Sequence, residues 1–299
     1  MDGAENNRQG QLQAGELSRD KRVQNVIVLE GLANLLILVI KLVVGLTTGS
    51  FAIIADAIHS FSDLANNVVV WFVIRLSAEP PDRKHPYGHR KFETVAVFAL
   101  AVLLFVIAIE LVLRAFQRGE PTVDQSHLGL VLMSVVLLIN VAITLWERHQ
   151  AKKLKSDILH ADASHTLSDV LTTVVVIAGW QLSVAGMVWA DTVCTLGVAL
   201  FVAYLATGLL NRVLPVLVDE SAIEPGAISS NVMTVPGIRS VRQVRSRWLG
   251  TGVAVDMVVT VDAEISATEA HDISEVVETL IGDLFQVEDI SIHIEPEPH

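Results

Sequence analysis

Six apolar runs, each near the ~20 residues that carry a helix across a bilayer, occupy most of the chain between residues 25 and 210. Their spans are 25–47, 51–76, 93–116, 127–146, 163–185 and 188–210. The second and fifth are the least hydrophobic, since they carry Asp, His and Asn residues, but their short neutral flanks keep them in the count. The overall balance agrees: 52% of the 299 residues are hydrophobic and 18% charged, with a mean hydropathy of +0.52, whereas soluble domains carry about 25% charged residues. A bundle of six transmembrane helices is the expected core. Residues 1–20 are polar, hold no apolar stretch that would serve as a signal peptide, and are read as a flexible cytoplasmic tail.

The loops set the orientation. Basic residues crowd three connections: Arg19, Lys21 and Arg22 before the first span, Arg83, Lys84, Arg90 and Lys91 after the second, and Arg148, Lys152, Lys153 and Lys155 after the fourth. The opposite connections are nearly bare. The positive-inside bias therefore puts both termini in the cytoplasm, with an even number of spans; a cell inner (plasma) membrane is the expected location.

Beyond Arg212 the character changes. Residues 213–299 hold fifteen Asp or Glu against four Arg and no Lys, which accounts for most of the net charge of −12. A helix around 224–234 precedes two alternating runs at 239–248 and 253–262, separated by Leu-Gly-Thr-Gly, which reads as a hairpin. A helix from about Ser266 to Phe285 and a strand at 289–295 complete an α-β-β-α-β order. The organisation is thus a tail (1–20), an all-α membrane bundle (21–212) and a cytoplasmic, metallochaperone-like α+β domain (213–299), small enough to favour pairing with a second copy.

Two of the spans share a phrase. Asp56-Ala-Ile-His59-Ser-Phe-Ser-Asp63 and Asp162-Ala-Ser-His165-Thr-Leu-Ser-Asp169 each place Asp, His and Asp at offsets that fall on one helical face. Ionisable groups inside a span are costly, and by default they mark function. A purely structural role, with each His bonded to the Asp one turn on, is the simpler alternative. The stronger reading pools the two copies: two imidazoles and two carboxylates suit a tetrahedral divalent ion, Zn²⁺ above all. Asp56 and Asp162 lie one turn earlier and are assigned a supporting role. Lone Cys194 excludes a disulfide framework and a Cys-based cluster, and nothing in the chain points to nucleic acid.

His-x-x-x-Asp on a second and a fifth span, six spans in all, and an acidic C-terminal α+β domain resemble the cation diffusion facilitators over about residues 20–299. The resemblance implies a homodimer paired through its C-terminal domains that exports divalent metal from the cytoplasm in exchange for protons. It implies a transport site at His59, Asp63, His165 and Asp169. Some bacterial relatives have Asp in place of the first His, so His59 leans towards zinc, with Fe²⁺, Mn²⁺, Co²⁺ and Cd²⁺ open. Asp82, His85 and His89 match the pattern of a peripheral site, although as a bare loop they sit among four basic residues that would repel a cation. His271, His293 and Glu295 match part of a regulatory site in the C-terminal domain. Lys91 and Asp219, one on either side of the boundary between membrane and soluble parts, are expected to form a salt bridge that serves as a hinge.

Two other classes compete with a transporter that is not an enzyme. A membrane di-metal oxidase needs Glu-x-x-His sets from several helices, whereas only His59 and His165 lie well within spans, with His160 near an edge. A non-transporting sensor or scaffold would bind metal in its tail and leave the transmembrane quartet dispensable.

Overall fold

The computed structural model describes residues 2–48, 51–117, 127–184, 188–250, 252–287 and 289–297. Within these, the side chains of 2–17, 45, 48, 51–56, 58, 59, 62, 114, 117, 127–130, 132, 133, 176, 177, 179–184 and 188–191 lie outside the description.

Six long helices come first: α1 (Asp2–Thr48), α2 (Phe51–Ser77), α3 (Lys91–Gln117), α4 (His127–Leu154), α5 (Asp157–Val184) and α6 (Val188–Leu217). Helix α1 begins at Asp2, so the stretch expected as a flexible tail is helical. That segment contains no proline, and its Gln, Glu, Arg and Ala residues are tolerant of helix. Among the described residues three helical segments, Ser18–Val44, Lys91–Leu113 and Thr192–Leu217, are long and apolar enough to cross a membrane.

Helix α1 packs on α2, α3 on α6, and α4 on α5, which also meets α3 and α6. The shared core joins Val97, Ala101 and Leu104 of α3 to Val202, Ala206 and Leu209 of α6 and to Ile158 and Leu159 of α5. Small residues at these crossings let the backbones approach closely. The outer faces are apolar and uncovered, as at Leu32, Leu36, Val106, Ile109, Leu200 and Tyr204. An aqueous surface has no use for such a face, and lipid does.

The C-terminal part consists of α7 (Pro225–Val232), β1 (Ile238–Trp248), β2 (Val253–Val261), α8 (Ala267–Phe285) and β3 (Asp289–Pro296). Strands β1 and β2 pair antiparallel; β3, reached through α8, pairs parallel to β2. Val255, Met257, Val259 and Val261 of β2 bury one face of the sheet under Ile228 and Val232 of α7 and Val277 and Ile281 of α8. Helix α8 starts with a capping box: Ser266 Oγ accepts from the Glu269 backbone N–H, and the Glu269 carboxylate accepts from the Ser266 N–H. The Ser266 N–H and then its hydroxyl hold the Glu269 carboxyl below its ordinary range.

The two parts touch through the loop between α2 and α3. Gly250, in the β1–β2 turn with φ of +107°, lies so close that a Cβ there would sit 2.5 Å from Arg90 Cβ. The Arg247 guanidinium rests 4.9 Å from the centre of the Tyr87 ring. Lys91 Nζ donates to Asp219 Oδ1 at 2.9 Å, within one chain.

Candidate metal centre

Helices α2 and α5 bring three of the four motif ligands together. Asp63 Oδ1 lies 3.9 Å and Asp169 Oδ2 3.8 Å from His165 Nε2, and one ligand atom from each of the three falls within 4.8 Å of the others. Zn²⁺ with ligands at about 2.0–2.1 Å spaces neighbouring donors about 3.3 Å apart, so each carboxylate needs to close on His165 by roughly half an ångström to share such an ion. His165 is 8% exposed and its Nδ1 has no hydrogen-bond partner. The fourth ligand candidate, His59, and the support candidate Asp56 have side chains outside the described residues.

The two helices run antiparallel here. Three residues along α2 from Asp63, Asn66 Nδ2 donates at 2.9 Å to Oδ1 of Asp162, which lies three residues back along α5 from His165. Asp162 is 1% exposed. It meets two residues that sequence reasoning passed over, since one oxygen each from Glu30 of α1, Glu147 of α4 and Asp162 falls within 4.8 Å of the others. Glu30 could have been noticed as a carboxylate inside the first apolar run. Glu147 follows the fourth run by one residue and reads as loop. Other polar residues in the bundle tie helices together: Asn34 Nδ2 donates to Asn67 Oδ1 at 3.2 Å, and buried Lys41 donates to Ser60 Oγ at 2.8 Å.

The α2–α3 loop gathers a second constellation at Asp82, His85 and His89. Asp82 Oδ1 accepts from the backbone N–H groups of His85 at 2.6 Å and Lys84 at 2.8 Å, a tight Asx-type turn. The His85 N–H is the main reason that the Asp82 carboxyl stays below its ordinary range. His85 Nδ1 lies 3.2 Å from Asp82 Oδ1, and His89 Nε2 3.6 Å from Asp82 Oδ2. His89 is 4% exposed, and its Nδ1 faces the carbonyls of Glu79 and Pro80 at 3.3 and 3.2 Å. A proton on Nδ1 satisfies those carbonyls and leaves Nε2 a lone pair turned towards Asp82.

Two families of known proteins match these two parts. The cation efflux transmembrane domain matches residues 27–218, and the cation efflux protein cytoplasmic domain matches residues 221–297. The chain belongs to the cation diffusion facilitator family.

It is a membrane-embedded transporter, and efflux of divalent metal cations is its activity. An uncharacterized transporter of Methanocaldococcus jannaschii is 30% identical over 92% of this chain and 99% of its own length. The manganese efflux system protein MneS of Bacillus subtilis is 28% identical over 88% of this chain and 92% of its own. The cation-efflux pump FieF of Pectobacterium atrosepticum is 29% identical over 88% and 89%. Among solved structures, a nickel form of the MamM C-terminal domain is 28% identical over 24% of this chain and 94% of that domain, with a TM-score of 0.23.

In this facilitator His293 Nε2 lies 3.7 Å from Glu295 Oε1 on β3, while His271 stands on α8. The groups of three or more potential ligands among the described residues do not include His271, His293 and Glu295. Strand alternation explains the separation: Ile290, Ile292 and Ile294 of β3 join the core under α8, so His293 and Glu295 face the other side of the sheet. His271, on α8, lies exposed 3.6 Å from Glu275, while Glu295 takes a short hydrogen bond from Arg242.

Proposed function

We propose that this facilitator exports Zn²⁺ from the cytoplasm in exchange for protons, by alternating access at His59, Asp63, His165 and Asp169. Its six spans lie in the cell inner membrane with both termini cytoplasmic, and it works as a homodimer joined through residues 213–299. The observation that carries this reading is the convergence of Asp63, His165 and Asp169 from α2 and α5 within 4.8 Å. An imidazole with two carboxylates is a zinc-type donor set. Metal binding needs the deprotonated histidine, so protons and metal compete for the same nitrogen, and that competition is the coupling. Rocking of one helix group against another then exposes the centre to either side in turn.

Asp82, His85 and His89 serve as a weak loading site at the cytoplasmic face. Asp56 and Asp162 support the ligand helices, and the Lys91–Asp219 bridge acts as hinge between the bundle and the soluble domain. His271, His293 and Glu295 contribute to metal sensing only through groups from a second copy. Manganese is the second reading for the cargo, favoured by the name of the Bacillus relative.

The test is flux in proteoliposomes across a panel of Zn²⁺, Cd²⁺, Co²⁺, Fe²⁺ and Mn²⁺, with and without a pH gradient. Zinc flux is expected to require the gradient and to vanish in His165→Ala and Asp63→Ala, while His59→Asp broadens selectivity. Zinc flux indifferent to the gradient refutes the exchange; flux intact in both variants refutes the site.

A further inference from the structure

We propose that Glu30, Glu147 and Asp162 form a second cation site, separate from the His–Asp centre and built for a hard, oxygen-preferring divalent ion such as Mn²⁺. The three carboxylates come from α1, α4 and α5 and are 2%, 0% and 1% exposed. One oxygen of each converges within 4.8 Å of the others. Ionised, three buried carboxylates this close repel one another, and water cannot relieve the repulsion.

Glu147 adds a sharper point. Its side chain is fully buried, and neither of its oxygens meets a donor outside the three acids; Glu30 Oε2 and Asp162 Oδ2 likewise meet none. An acid that meets only fellow acids in the interior has a shared proton or a cation as its partner, and a cation serves all three at once. A divalent cation at the convergence point offsets two of the three negative charges and supplies each open oxygen with a partner.

The donor set decides the ion. All donors are carboxylate oxygens, which suit Mn²⁺, Mg²⁺ or Ca²⁺, whereas zinc favours the imidazole and carboxylate mixture next door. Asn66 fixes one wall of the site, because its amide occupies Asp162 Oδ1 and leaves Oδ2 without a donor. An outer hydrogen bond of this kind orients a metal ligand. Asp162 also lies three residues from His165 on α5, which sets the oxygen site about one helical turn from the His–Asp centre.

The experiment is Mn²⁺ binding to the full-length protein in nanodiscs, followed by loss of the free-ion electron paramagnetic resonance signal. Wild type, Glu30→Gln, Glu147→Gln and Asp63→Ala are compared, with Zn²⁺ titrations alongside. Each Gln variant is expected to bind one Mn²⁺ fewer per protomer, or to bind it at least tenfold more weakly, with zinc affinity within twofold of wild type. Asp63→Ala is expected to keep that Mn²⁺ and lose zinc. Because each Gln removes a buried repulsion, the metal-free unfolding temperature is expected to hold or rise in both. Unchanged Mn²⁺ binding in the Gln variants, loss of the ion in Asp63→Ala, or a fall in metal-free unfolding temperature in both Gln variants overturns the proposal. None of these depends on whether zinc is transported.

Discussion

Arg90→Met tests how tightly α1 is fastened, at Asp20, to the loop that carries Asp82, His85 and His89. Asp20 is buried, its side chain 4% exposed, and Arg90 Nη1 lies 2.8 Å from Asp20 Oδ2. Removing one partner of a buried ion pair strands the other, at a cost of about 3–5 kcal/mol. Two observations place this case at the lower end. The contact is close but not aligned as a hydrogen bond, and Arg19 Nη1 remains 3.4 Å from Asp20 Oδ1. A loss of about 3 kcal/mol corresponds to a fall of roughly 5 °C in unfolding temperature for a chain of 299 residues.

The assay is a double-mutant cycle read by tryptophan fluorescence during thermal unfolding in detergent. Asp20→Asn alone frees Arg90 to turn towards solvent and costs less. Asp20→Asn with Arg90→Met removes the stranded charge and is expected to recover about 2 kcal/mol relative to Arg90→Met. Additive single effects, or an Arg90→Met change below about 1 kcal/mol, show that the pair does not fasten the loop.

Three further outcomes follow from local geometry. Gly250→Ala sets a Cβ against Arg90 in a backbone conformation that L residues avoid, and is expected to cost about 1–3 kcal/mol and to loosen the contact between soluble domain and loop; increased proteolysis after Arg90 reports it, and unchanged proteolysis counts against the contact. Lys91 and Asp219 are 42% and 51% exposed, so reversing either charge is expected to shift stability by less than about 1 kcal/mol, while transport falls in each single reversal and recovers in the double. The folded-state pKa of Glu269 is depressed, so its capping contribution is present above the ordinary carboxylate range and is lost as pH falls through the folded value. Ser266→Ala is expected to cost about 1 kcal/mol near neutrality and to flatten that acid limb of the stability profile, which calorimetry across pH measures.

Where a structural signal is local, the sequence carries it. Ser266 with Glu269 three residues on marks the start of α8, and alternation through Val253–Val261 marks a strand whose two faces are treated differently. Signals that depend on which helix faces which are not local. Glu30, Glu147 and Asp162 are far apart in the chain and meet because α1, α4 and α5 do, and no periodicity within any one helix reports that meeting. The separation of His271 from the other two C-terminal candidates was readable: with Ile290, Ile292 and Ile294 turned to the core, His293 and Glu295 had to point away from the helix that bears His271.

The antiparallel run of α2 and α5 also separates the roles of two residues that look equivalent in the repeated phrase. Moving up the chain from Asp63 to Asn66 corresponds to moving down it from His165 to Asp162. Asp56, seven residues before Asp63, therefore lies about 10 Å along α2 in the opposite direction from Asn66, and so at the other end of the centre from Asp162. One phrase read in opposite directions puts an aspartate position on each side of the ligands along the helices. With the proposed orientation, Asp162 belongs to the cytoplasmic approach and Asp56 to the exit. Asp162→Asn is expected to raise the cytoplasmic metal concentration needed for half-maximal flux, whereas Asp56→Asn slows turnover at saturating metal. Identical kinetic defects in the two variants would show that the leading aspartates act alike and that helix direction does not sort them.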